Sequence, residues 1–161
     1  MMIRFTKGVE RPDSLTCVRD DGSRTWSAVG RTVGVRHDLI HYAVETVLGY
    51  REAFFGLVAA GRDIHSFGTK HGIKDSYPLE AQHAEQLVGL VQWPAMSGGP
   101  ALTDDELLSL LADTCSLHNL PMPPVTTAQL TAIRAEARVL HRRWDQLAPG
   151  NHLDLVFPVP P

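Results

Sequence analysis

His37, His41 and Glu45 recur at four-residue intervals in the stretch His37-Asp38-Leu39-Ile40-His41-Tyr42-Ala43-Val44-Glu45. In a helix, residues four apart stand one above the other, so two imidazoles and a carboxylate share one stripe. Neutral imidazoles at i and i+4 are the spacing with which a helix grips zinc, and a neighbouring carboxylate can complete the shell or accept a proton from bound water. His37 and His41 are therefore the candidate metal ligands, with Glu45, His65 or His83 as candidates to complete the set and Asp38 or Glu45 as candidate base. The cofactor expected is a divalent metal, zinc fitting best. His71 is a further imidazole within reach in sequence.

Steps of about 100° per residue place this stripe on the helix. With Ile40 as origin, Val44 falls near 40°, His37 near 60°, Leu48 near 80°, His41 near 100° and Glu45 near 140°, by the same ~100° step. The histidines thus border the apolar face and Glu45 points further out. His37-Asp38-Leu39-Ile40-His41 resembles the HExxH element of zincin metalloproteases, with Asp38 where that family carries glutamate. The resemblance spans five residues of 161 and implies His37 and His41 as ligands and Asp38 as base. It does not extend to a downstream third ligand, and proteolysis is not carried over with it.

The same residues also fit a helix start with no chemistry: histidines near backbone groups, Asp38 complementing the helix dipole, Glu45 in solvent. On that alternative the protein is a non-catalytic binding or scaffolding domain. The expectation carried forward is a metal-binding protein, with metal-dependent hydrolysis as its activity.

The elements that must position the stripe follow from periodicity. Residues 1–35 read mainly as strands: 3–6, then 15–19 and 24–29 flanking Asp20-Asp21-Gly22-Ser23, an Asp-Gly hairpin signal. Residues 36–148 read as helical. The first helix runs from His37 to Leu48 with Gly49 as its stop, and an apolar segment at 52–60 is a short buried helix. A polar loop over 62–78, carrying Asp63, His65, Lys70, His71, Lys74, Asp75 and Tyr77, exceeds the usual connection length and is either a lid or a solvated loop. Another helix, bearing His83 and Glu85, spans 79–93 and stops before Pro94. Thr103…Glu106 and Thr126…Gln129 are capping boxes, and Leu130, Ile133, Ala137, Leu140, Trp144 and Leu147 form an apolar stripe on the last helix. That stripe serves either the protein's own core or a homodimer through helix 127–147. Residues 152–158 form a C-terminal strand that returns to the N-terminal hairpin. The whole is expected to be one α+β domain over 1–161: a small antiparallel sheet packed against about five helices.

Bulk composition narrows the partners. A net charge of −3 and a pI near 6.2 leave no broad basic face, so no nucleic acid is expected. The longest apolar run, 53–60, is far below the ~20 residues a bilayer requires, so no membrane is expected and the location reads as cytoplasmic. Cys17 and Cys115 have no CxxC partner and read as buried thiols, and Trp26, Trp93 and Trp144 read as core. P-loop, GxGxxG and GxSxG patterns are all missing, which removes nucleotide binding by those motifs and α/β-hydrolase chemistry.

Overall fold

Alternation of apolar and polar residues makes β1 (Met2–Thr6) a strand with one inward face, and two neighbours pair with it. The computed structural model describes residues 1–30, 34–67, 77–98 and 100–158, of which 94–97 by backbone alone. β2 (Ser14–Val18) and β3 (Arg24–Ala28) form the expected hairpin, closed where Arg19 N–H donates to the Ser23 carbonyl at 2.8 Å. Gly22 takes φ +82° there, a conformation that suits a residue without Cβ. β4 (His152–Val156) returns to the far side of β1, giving an antiparallel sheet of order β3-β2-β1-β4. Register places Ile3 beside Cys17 and Leu155, and Phe5 beside Leu15 and Leu153, so six inward side chains form the sheet's buried face.

Five helices accompany the sheet, as expected for α+β: α1 (Gly34–Leu48), α2 (Phe54–Ala59), α3 (Leu79–Ser97), α4 (Asp104–Leu117) and α5 (Thr127–Gln146), of which α1, α2 and α5 pack on its buried face. A 3-10 turn, Ile64–Phe67, follows α2. Both capping boxes form as the sequence implies, at Thr103–Glu106 and Thr126–Gln129.

α1 is the central helix. Val35 and Leu39 pack toward the sheet with Phe55, Leu140 and Trp144, while Ile40, Ala43 and Val44 pack toward α3, α4 and α5 with Leu87, Leu111 and Ile133. A helix buried on two sides has no single apolar stripe, and its polar residues must sit on what remains. Gly49, at φ +71°, ends it.

Several expectations change. α3 does not stop before Pro94 but runs to Ser97, because proline's fixed φ is itself helical and the lost hydrogen bond falls on one turn only. Trp26 and Trp93 are exposed rather than core. On β3 the period-two alternation turns Thr25 inward instead, where its hydroxyl donates to Asp63 Oδ2 and accepts the Ile64 N–H. Of the three tryptophans only Trp144 is buried. The α5 stripe of Leu130, Ile133, Ala137, Leu140 and Trp144 is likewise buried in this chain's own core, so it offers no apolar seam to a second copy. Lys70, His71, Lys74 and Asp75 of the long loop lie outside the described residues. Among the described residues, no helix is long and apolar enough to cross a membrane.

Candidate metal centre

His37 and His41 project from α1 toward α3, and their Nε2 atoms approach to 3.2 Å. Glu85, on α3, brings a carboxylate oxygen to 3.5 Å from His41 Nε2. One ligand atom from each of the three lies within 4.8 Å of the others, the only such His/Cys/Asp/Glu group among the described residues. α1 and α3 pack side by side through Ile40, Val44, Ala84, Leu87 and Val88, and that packing sets the separation of the groups. The centre lies at the mouth of this contact: His41 is buried, His37 half-buried, and Glu85 is 63% exposed.

Each imidazole is also held from behind. His37 Nδ1 lies 2.8 Å from Gln92 Oε1, two turns along α3 from Glu85. His41 Nδ1 faces Glu45 Oε1 at 3.5 Å, a charge contact that leaves both atoms buried without a formed hydrogen bond. The other Glu45 oxygen accepts the N–H groups of Phe55, at 2.8 Å, and Gly56, at 3.1 Å.

Glu45 therefore differs from the expectation in two ways. It is 0% exposed, not outward in solvent, because the start of α2 closes over that side of α1. Nor does it join the ligand group: one oxygen is committed to backbone donors, and the other stands behind His41. A carboxylate in that place can orient the imidazole and raise its basicity. The third member of the group is Glu85, on the neighbouring helix.

His65 and His83 do not reach the centre. His65 is exposed, its ring edge-on to Trp26 at 6.4 Å between centroids. His83 is buried on another face of α3, with Nε2 2.7 Å from the Pro121 carbonyl oxygen, so it ties α3 to the α4–α5 connection. Asp38 lies half-buried on α1 with no hydrogen-bond or ion-pair partner among the described residues.

The electrostatics follow from burial and from the crowd of carboxylates. Burial works to lower the His41 pKa, but interaction with Glu45 and the charges of Glu85 and Asp38 outweigh it and hold it above 6.5. His37 is pushed below 6.5 by burial and by the neighbouring His41, against the opposing pull of Gln92 and Glu85. Burial raises Glu45 despite His41 and the two backbone donors. Asp38 is pushed up to about 6, chiefly by burial and further by Glu85, with His41 opposing.

An aromatic wall leads away from His41. Phe54 lies 5.9 Å from the His41 ring, Phe67 4.9 Å from Phe54, and Tyr77 is stacked on Phe67 at 6.4 Å. Arg62 covers the far end, its guanidinium 5.2 Å from the Phe67 ring and 5.6 Å from that of Tyr77. Phe67 and Tyr77 are the described ends of the long loop, and both belong to this wall. No protein-family model, curated protein or solved structure matches the chain.

Proposed function

We propose that the α1–α3 junction binds a divalent transition metal through His37, His41 and Glu85, and that the protein is a metal-dependent hydrolase. The carrying observation is the convergence of two imidazole Nε2 atoms and a carboxylate oxygen, with edges of 3.2 and 3.5 Å about His41 Nε2. A tetrahedral zinc ion with bonds of ~2.0–2.1 Å requires ligand–ligand separations of roughly 3.4 Å. The remaining edge closes by rotation of Glu85, whose exposure leaves its side chain free to turn.

Two further features support a metal over a histidine pair alone. The donor set, two imidazoles and one carboxylate, suits zinc better than magnesium or calcium, which favour oxygen ligands. His41 Nδ1 and Glu45 Oε1 form a buried polar pair without a completed hydrogen bond, which makes sense where that carboxylate stands behind a ligand carrying extra positive charge.

Three protein ligands leave a position open, the arrangement of catalytic rather than structural zinc sites. Bound there, the ion would supply Lewis acidity and lower the pKa of a water molecule. Asp38 is the candidate base: it is on the ligand helix, has no hydrogen-bond or ion-pair partner among the described residues, and is raised to about 6 by burial, a range suited to taking up and returning a proton near neutrality. The Phe54–Phe67–Tyr77 wall would exclude water from one side.

Elemental analysis of untagged protein, followed by zinc titration of the EDTA-stripped form, tests the binding. Near one equivalent of zinc in the wild type, lost in His37→Ala/His41→Ala and weakened in Glu85→Gln, is expected. Protein that stays metal-free after incubation with zinc, manganese and nickel overturns the proposal. Zinc binding without turnover of ester, amide or phosphoester substrates overturns the hydrolase part and leaves a metal-binding protein.

A further inference from the structure

The two histidines admit two arrangements, and they have opposite consequences for metal binding. Neutral imidazole carries its proton on one nitrogen only. If His37 carries it on Nε2, that N–H donates across the 3.2 Å gap to His41 Nε2, and the pair is satisfied with no ion. If His37 carries it on Nδ1, its Nε2 lone pair points at the His41 Nε2 lone pair and at the Glu85 carboxylate. Three acceptors then meet in one place, a configuration only a cation or an added proton relieves.

His41 has little choice. Its Nδ1 faces a buried carboxylate oxygen, which can only accept when ionised, so the proton belongs on Nδ1 and the lone pair on Nε2. What is left to settle is the His37 tautomer, and the group that decides it is on α3. Gln92 turns its carbonyl oxygen, an acceptor, to within 2.8 Å of His37 Nδ1. With the amide oxygen as the near atom, that distance fits an N–H···O bond and places the proton on Nδ1. We infer that Gln92 is a positioning residue that fixes His37 as the Nδ1–H tautomer and so turns a histidine pair into a pair of ligands.

The inference rests on the metal reading for its consequence, while the tautomer itself can be read without metal. α3 then supplies both halves of what α1 lacks: Glu85 as third ligand and, seven residues on, Gln92 as orienter of the first. Spacing of i and i+7 puts both on one face of the helix, two turns apart.

Long-range nitrogen–proton spectra of the histidine rings in EDTA-stripped protein give the tautomer directly. The expected result for wild type is His37 with a protonated Nδ1 and a bare Nε2, and in Gln92→Leu a shift of population to protonated Nε2. Titration with Co²⁺ alone, followed by its visible ligand-field bands, gives the consequence. Gln92→Leu should weaken Co²⁺ about 10–100-fold, the usual effect of removing a ligand's hydrogen-bond partner. Gln92→Glu, which keeps an acceptor, should bind at least as tightly as wild type. A wild-type His37 protonated on Nε2 overturns the inference whether or not metal binds, and this needs no variant to fold. Gln92→Leu binding Co²⁺ as tightly as wild type, with the same bands, also overturns it. Wild type that takes up no Co²⁺ sinks the metal reading, and the ring spectra still decide the tautomer.

Discussion

Glu45→Ala should cost this protein a large share of its stability even with no metal present. The carboxylate is fully buried and its Oε2 receives the N–H groups of Phe55 and Gly56 at 2.8 and 3.1 Å. Alanine leaves both donors buried without an acceptor. Stranding a buried polar group costs about 1–3 kcal/mol, so two amount to roughly 2–6 kcal/mol, with a cavity added. Against this stands a relief term: burial disfavours the ionised form of Glu45, and removing it removes that cost. A net loss of ~3–4 kcal/mol is the expected balance, against the 5–15 kcal/mol typical of a folded domain. Glu45→Gln separates the terms, because its amide oxygen still accepts the two N–H groups while the buried charge disappears; a change within ~1 kcal/mol is expected. Urea unfolding in excess EDTA, with m near 2 kcal/mol/M, converts these figures to a midpoint drop of nearly 2 M for Ala and under ~0.5 M for Gln. Equal midpoints for wild type and Glu45→Ala, or glutamine as damaging as alanine, would refute the argument that the side chain is there to hold α2 against α1. Zinc affinity should rank differently: glutamine presents an NH₂ to His41 Nδ1 and disturbs the ligand, so Glu45→Gln should lose about 10–100-fold despite its intact fold.

In EDTA the Glu45 and His41 contributions to stability should decline in the alkaline direction, while His37 and His141, whose folded values lie below 6.5, act in the opposite sense as pH rises toward 6.5. Glu45 and His41 both have folded values above their ordinary 4.5 and 6.5, so the native state holds more protons than the unfolded chain as each window is crossed. Stability should therefore fall as pH rises above 4.5 for the Glu45 contribution and above 6.5 for that of His41, whereas the stabilisation by added zinc should grow, since zinc competes with the His41 proton. Thermal melts at several pH values, with and without zinc, check both signs, and a zinc increment that shrinks toward alkaline pH would contradict the second. Two helical glycines should respond oppositely to alanine. At Gly56 a Cβ would lie 2.2 Å from the Arg51 carbonyl oxygen, so Gly56→Ala should destabilise by more than ~2 kcal/mol; at Gly89 it meets nothing within 4 Å, so Gly89→Ala should stabilise by about 0.5–1 kcal/mol. Urea midpoints moving in the same direction for both would refute this.

The fold was legible because its signals are local. The Asp-Gly turn, the two capping boxes and the stop at Gly49 each act within a few residues, and all appear where the sequence implies them. The last strand was also readable, since its alternation leaves Leu153, Leu155 and Phe157 in need of cover. The errors come from packing partners that no local window contains. Trp26 is large and apolar, yet it stands on the outward phase of β3, and Thr25 takes the inward place because Asp63 and Ile64 are there to satisfy its hydroxyl. Glu45 looked solvated at ~140° from the apolar face, but α2 folds back over it and supplies two backbone donors.

The candidate centre divides along the same line. His37 and His41 could be found because one helix carries both and its period fixes their separation. Glu85 and Gln92 could not, because their part depends on the phase and height at which α3 packs against α1, and these are set by apolar contacts among Ile40, Val44, Leu87 and Val88. A signal was nonetheless present: a charged and an amide side chain seven residues apart, on a helix whose other positions are largely apolar. Such a pair has no i, i+4 partner of its own and must face either solvent or a neighbour's polar stripe. α1 presents such a stripe, since two of its sides are occupied by the sheet and by the helical core, and His37, His41 and Glu45 are left for the third. The polar residues of both helices therefore meet because every apolar alternative is already filled, and the centre is assembled by the same packing that makes α1 the middle of the fold.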